Sequence, residues 1–312
     1  MISTSTVAIR PKRPAFRRNK GIILLLMVLP LMVLVVMFTY LPLFGWIYSF
    51  YKYRPGVPLF DSQFVGLKYF SMLFTDSVDM LRVMKNTVIF ALLGYLCAPV
   101  PMIFAILLNE IRNQKFKKFV QVTTTLPHFI GWIIVFSLSF SIFSSDGLLN
   151  DVLMALKLIS KPTNVLADSK AVYVFQTLLG LWKGLGWGSI IYLAAISGID
   201  QEIYDAAKVD GAGRFRSALH VTVPGLMPTF IVLLLLSIGS FVGVGFEQYF
   251  IFKNALTANN IEVIDVYVYR IGLINNDYSY GVAIGMMKSM VSLVLLFTTN
   301  AISKRVRGTS II

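Results

Sequence analysis

Residues 204–228, YDAAKVDGAGRFRSALHVTVPGLMP, lie between two apolar segments that can each cross a bilayer, yet they carry Asp205, Lys208, Asp210, Arg214 and Arg216. A charge in hydrocarbon is costly, so this stretch sits in water. Its apolar positions have a helical period. Ile199, Ile203, Ala206 and Ala207 share one face, and Phe215, Ala218, Leu219 and Thr222 share another. The two faces predict two short helices. Asp200 is placed to cap the first, and Gly211 supplies the backbone freedom that ends it, which makes Asp210-Gly211-Ala212 the turn. Pro224, with fixed φ and no donor to lose in a first turn, is expected to start the next membrane helix. A helical hairpin on a membrane face, with alanines on its docking side, has a shape that enters a cleft in a partner.

The remaining chain is built to deliver that hairpin to a membrane surface. Of 312 residues, 56% are hydrophobic, more than a soluble domain carries. About twenty helical residues cross the hydrocarbon core. Six segments qualify, at roughly 21–50, 84–111, 119–143, 171–199, 223–250 and 280–303. The first is too long for the core of a signal peptide and is read as a retained span. Pro30, Pro42, Pro99, Pro101 and Pro127 interrupt these helices and imply kinks around a cavity.

Six spans put both termini on one side, and lysine and arginine choose the side. Arg10, Lys12, Arg13, Arg17, Arg18 and Lys20 precede span one; Arg112, Lys115, Lys117 and Lys118 link spans two and three; Lys304, Arg305 and Arg307 follow span six. The loops at 51–83, 144–170 and 251–279 are longer in total and hold fewer cations than these ends and the hairpin together. The hairpin and both termini are therefore expected in the bacterial cytoplasm, and the three loops outside as short structured caps.

Several chemistries are excluded. The net charge of +13 arises from cations at the ends of apolar runs, not from a basic face interleaved with aromatics, so no nucleic-acid partner is expected. Cys97 is the only cysteine, which rules out an intramolecular disulfide and a thiolate metal cluster. There is no HExxH, no GxSxG and no GxxxxGK[ST], so no catalytic residue, no metal site and no nucleotide-phosphate loop is assigned. Gly184-Leu185-Gly186-Trp187-Gly188 lacks the setting of a phosphate loop and is read as a site of close helix packing or bending.

Ionisable and aromatic residues inside the spans mark the candidate pathway. Lys183 lies near the middle of span four, with Trp187 one turn on and Trp182 beside it. An indole next to a polar group suits a sugar, which has an apolar face and hydroxyls. Lys288 in span six, and Glu247 with Gln248 near the outer end of span five, are further candidates.

Asp205-Ala206-Ala207, Asp210-Gly211-Ala212 and Pro224, with Tyr204 leading, resemble the "EAA" coupling motif of the permease subunits of binding-protein-dependent ABC importers of the maltose and oligosaccharide type. The resemblance extends over the apolar segments from about Met84 to Arg305. Where the family usually has Glu, this chain has Asp205, which keeps the charge and shortens its reach. The resemblance implies an all-α type I importer permease whose hairpin is a coupling helix seated in a groove of a cytoplasmic ATPase. It further implies a second homologous permease forming a heterodimer, two ATPase subunits that hold ATP and magnesium, and a solute-binding protein outside. No cofactor is expected on this chain itself.

Aligned on the hairpin and on Leu126-Pro127, the family's sugar-contacting region falls on Lys183, Gly184, Trp187, His128, Trp132 and Phe241. The implied organisation is a basic tail at 1–20, a first span with its outer loop at 21–83, a five-helix core at 84–305 with its coupling loop at 200–223, and a tail at 306–312. The expected cargo is an oligosaccharide, uronate-bearing if Lys183 and Lys288 both line the path. A glycerol-phosphate importer and an ATPase-independent transporter or channel stand as alternatives.

Overall fold

The structure, a computed structural model, describes residues 16–75, 77–239, 243 and 245–307. It divides into two units, residues 1–48 and 49–312. In the first unit, α1 (Phe16–Val35) is apolar from Gly21 onward and passes through a π turn, Val36–Tyr40, into a 3-10 segment that begins at Leu41. A helix with no polar face suits lipid.

Among its described residues the second unit has helices joined by loops and no strand beyond one isolated bridge between Tyr51 and Phe64. Helices α2 (Lys68–Thr75), α3 (Ser77–Cys97), α4 (Pro99–Asn109), α5 (Gln114–Phe129), α6 (Trp132–Phe143) and α7 (Leu148–Ala155) lead to the long α8 (Val172–Ser197). Then come α9 (Gln201–Val209), α10 (Arg214–Ser217), α11 (Val223–Gly239), α12 (Phe246–Phe252), α13 (Ala258–Ile261), α14 (Ile264–Tyr269) and α15 (Tyr278–Arg307). Among the described residues, six helical segments are long and apolar enough to cross a membrane: Gly21–Phe50, Val78–Asn109, Trp132–Ala155, Val172–Ser197, Arg214–Gly239 and Tyr278–Arg305.

Two boundaries differ from the sequence expectation. The third segment is not one helix over 119–143, because Ile130 and Gly131 are extended and separate α5 from α6. Pro127 weakens the last turn of α5, and the chain leaves the helix just after it. The fifth segment begins at Arg214 rather than at Pro224, and ends at Gly239 rather than near 250. Proline lacks a donor and crowds the carbonyl four residues back. Here the π turn Ala218–Thr222, closed by Val223 N–H donating to the Ala218 carbonyl, widens the ladder immediately before Pro224, so the helix continues. The π turn Val36–Tyr40 stands in the same relation to Pro42. The expected span to about 250 is not one helix, since Gly243 and Gly245 (φ +27°) lie outside helices and Phe246 opens the separate helix α12.

The inter-span segments α2, α7, α13 and α14 cap one end of the bundle. There the Glu262 carboxylate, only 3% exposed, receives Lys253 Nζ at 2.7 Å, Arg270 Nε at 2.8 Å and Arg82 Nη2 at 3.1 Å, while Asp79 pairs with both arginines. A buried carboxylate needs this many partners. Asn86 of α3 donates to the carbonyls of Asn259 and Glu262 and accepts from Tyr173 of α8 at 2.6 Å. These bonds lock α3, α8 and the α13–α14 region together at the end away from the hairpin. Toward the hairpin, Met102, Ala105, Tyr192, Ile196 and Leu226 form a separate apolar core.

Candidate functional site

The hairpin has the local structure its residues dictate. Asp200 accepts the Glu202 N–H at 2.9 Å and caps α9. Gly211 adopts φ +76°; its N–H donates to Lys208, and that of Ala212 donates to Ala207 at 2.8 Å. That pairing satisfies the last carbonyls of α9 and requires a left-handed residue, which glycine provides without strain. Asp205 pairs with Lys208 at 2.8 Å, and this hydrogen bond, with the charge behind it, holds its carboxyl below the ordinary carboxylate range.

The second arm is the first turn of the fifth span, not a free-standing short helix. Tyr204 Oη lies 2.9 Å from Thr222 Oγ1 and ties the two arms. Arg214 pairs with Glu110 at the end of α4 through Nε at 2.8 Å and also donates to the Glu110 carbonyl. Ala206 is exposed and Ala207 half-buried, as are Asp210 and Ala212 respectively. Val209 is 88% and Phe215 83% exposed. Large apolar side chains so open beside small ones form a surface shaped for a partner.

A second group of residues gathers around α8. Lys183 Nζ donates to the His128 carbonyl at 2.8 Å and lies 5.2 Å from the Trp132 ring centre. The His128 ring stacks parallel on Trp187 at 4.6 Å. Four residues expected together from three separate stretches are thus in contact. Gly186 makes that contact possible, because a Cβ there would meet Thr124 backbone atoms at 2.4 Å; Gly188 packs near Pro101.

Gly184 behaves differently, with nothing within 4 Å of its absent side chain. It opens onto a cavity of about 430 Å³ between α3, α8 and the α11–α12 region, with Gln176 and Thr177 of α8, Phe90 and Tyr95 of α3, and Gln248 and Tyr249 of α12 in its wall. Among the described residues, none of the lining side chains is charged. Gln248 was expected at the end of a span; it sits on α12 and donates to Gln176. Glu247 is exposed in the first turn of that helix. Lys288 is engaged by Asp265, and neither it nor Lys183 is in the wall of the cavity. Phe241 lies outside the described residues. Gln176, Thr177 and Tyr95 were not singled out from the sequence, although a glutamine inside an apolar span is the same signal that marked Lys183.

Comparison with known proteins places these features. Residues 91–308 match the family model described as binding-protein-dependent transport system inner membrane component. The protein LplB of Bacillus subtilis (strain 168) is 39% identical over 293 residues, 93% of this chain and 91% of that one. The polygalacturonan/rhamnogalacturonan transport system permease protein YteP of the same organism is 39% identical over 283 residues, covering 90% and 88% of the two chains. Among solved structures, a chain of a bacterial alginate ABC transporter, in complex with an alginate pentasaccharide-bound periplasmic protein, superposes with a TM-score of 0.85 at 30% identity. The match covers 96% of this chain and 100% of that one.

Proposed function

The chain belongs to the family of binding-protein-dependent transport system inner membrane components, and from that premise we propose that it lines half the pathway of an ATP-driven importer carrying an oligosaccharide, with uronate-bearing chains as its preferred cargo. The observation that carries the sugar reading is the uncharged cavity beside α8, walled by amide, hydroxyl and aromatic groups. Its size falls in the range of small-molecule sites. Sugars present an apolar ring face and hydroxyls, which this mixture meets. The uronate preference draws on the polygalacturonan permease and the alginate transporter to which the chain is similar. On this chain Lys183 is the span-four cation suited to a carboxylate, on the α5–α6 side of α8 and outside the cavity wall; one of its three N–H donors goes to His128, and among the described residues no other hydrogen bond engages it.

The hairpin is the handle for a separate ATPase, with Tyr204 to Ala207, Asp210 to Ala212 and Pro224, just after the π turn of the fifth span, as its parts. ATP and magnesium are held by that ATPase, two copies of which act on this permease and a second homologous one, and this chain contributes no catalytic site. Hairpin and termini face the cytoplasm, and the α2, α7, α13 and α14 caps face the binding protein. Closure of the ATPases drives the hairpin, and the Arg214–Glu110 and Tyr204–Thr222 contacts pass the movement to α4 and to the fifth span.

The test is reconstitution of the chain with its partner permease, ATPase and binding protein in liposomes, using labelled galacturonate, mannuronate and malto-oligosaccharides. Uptake that requires ATP and favours the acidic chains is expected. Flux without ATP or partners overturns the importer reading, and equal uptake of neutral and acidic chains overturns the uronate preference.

A further inference from the structure

We infer that Gln176 and Gln248 together form the element that reads the hydroxyl pattern of the passing sugar, a specificity-determining amide pair inside the membrane; this deepens the oligosaccharide reading and rests on it. Both residues line the cavity, and both are more than nine-tenths buried, Gln176 at 2% and Gln248 at 7% exposure. Gln248 Nε2 donates to the Gln176 carbonyl at 2.8 Å and to Gln176 Oε1 at 2.9 Å, which consumes both of its N–H groups. Each amide then has a half left over. Gln248 Oε1 remains as an acceptor and Gln176 Nε2 as a donor, and among the described residues neither has another partner.

Both residues are in the cavity wall, so these two atoms are open to a ligand or water there. The other polar groups in the wall are spent differently. Thr177 donates to the Tyr173 carbonyl and Ser237 to that of Leu234, each within its own helix. Tyr95 donates to the Ser237 carbonyl at 3.3 Å, while the amide pair sets a donor and an acceptor side by side. A sugar hydroxyl both donates and accepts, and two adjacent hydroxyls of suitable configuration bridge such a pair.

The pair is also held rigid. The bond between the two glutamines fixes each amide plane, and α8 contributes the stripe Gln176, Gly180, Gly184 at one-turn spacing. A Cβ at Gly180 would lie 3.5 Å from Gln248 Oε1, so the glycine leaves the acceptor unobstructed. Across the cavity, the rings of Phe90 and Tyr249 lie 4.5 Å apart and offer an apolar wall for the ring face. Position on a hydroxyl and stacking of a ring are together sensitive to configuration, whereas charge alone is not.

The experiment uses the full reconstituted transporter with trimers of galacturonate, mannuronate and glucose. Gln176→Leu and Gln248→Leu are each compared with wild type in initial uptake, with KM and maximal rate separated, in complexes that assemble as judged by size exclusion. For the trimer that wild type prefers, KM is expected to rise at least about tenfold in each variant. The ratio of uptake efficiencies between the galacturonate and mannuronate trimers is expected to collapse toward one. A variant that is merely misfolded lowers uptake of all trimers in proportion and leaves the ratio at its wild-type value, and that result overturns the inference. Wild-type uptake with both variants unchanged overturns it as well and leaves the importer reading standing. Absence of ATP-dependent uptake of any trimer by wild type overturns the oligosaccharide reading and the amide pair with it.

Discussion

Adding one methyl group at Gly186 is expected to pull α5 and α8 apart, while the same change two residues earlier is expected to do no harm. A Cβ on Gly186 would stand 2.4 Å from Thr124 backbone atoms, which cannot rotate away, and ordinary contact begins near 3.4 Å. The helices must therefore separate by about 1 Å. Overpacking of this kind costs about 1–3 kcal/mol, against a gain of about 1 kcal/mol from replacing glycine by alanine in a helix. The net loss for Gly186→Ala is about 0–2 kcal/mol by these terms, which leaves it about 1–3 kcal/mol less stable than Gly184→Ala. Gly184 faces open space, so Gly184→Ala keeps only the helix term and gains up to about 1 kcal/mol.

The separation has a local consequence too. His128 lies one turn beyond Thr124, and Lys183 about one turn before Gly186, so the 2.8 Å bond between them stretches past hydrogen-bonding range. Unfolding in detergent by tryptophan fluorescence measures both variants, and the signal comes from the same region through Trp132, Trp182 and Trp187. Equal shifts for the two variants would refute the packing argument.

Three further outcomes are expected. Tyr204→Phe removes the bridge to Thr222, costs about 1 kcal/mol within the hairpin, and lowers solute-stimulated ATP hydrolysis of the assembled complex while helix content by circular dichroism holds. Lys288→Met strands the Asp265 carboxylate at 22% exposure and destabilises by about 2 kcal/mol, between the surface and buried limits, and adding Asp265→Leu recovers most of the thermal stability. The Asp205–Lys208 contact depresses the Asp205 pKa, so its support is fully present above the ordinary value of 3.8 and is lost as pH falls through the lowered one. An NMR titration of the Asp205 carboxyl is expected to move upward in Lys208→Ala.

The parts legible in the sequence are those whose cause is local. Asp200, Gly211 and the alanine periodicity specify α9 and its turn because capping and left-handed backbone are properties of single residues. Apolar runs announce six spans for the same reason. The helix continues through Pro224 only because a π turn precedes it, and nothing in the composition of Ala218–Thr222 announces that turn.

Long-range pairing was harder to read. Glu262 collects Arg82 from a helix far away in sequence, and an acidic residue in an outer loop looks the same whether solvated or buried among three cations. At the candidate pathway, helical spacing joined Lys183 to Trp187, and resemblance brought His128 and Trp132 to them. It could not say that α8 divides its duties, with Lys183 and Trp187 toward α5 and α6 and Gln176 and Gly184 toward the cavity, because that depends on which neighbours pack on each face.

The most direct measurement replaces residues 204–212 with a Gly-Ser segment of equal length and follows uptake of a labelled galacturonate trimer by proteoliposomes that contain every partner. Loss of ATP-driven uptake together with loss of ATPase association, in a protein whose spans remain inserted, is the predicted result. Uptake at the wild-type rate would contradict the claim that this hairpin is where the motor takes hold.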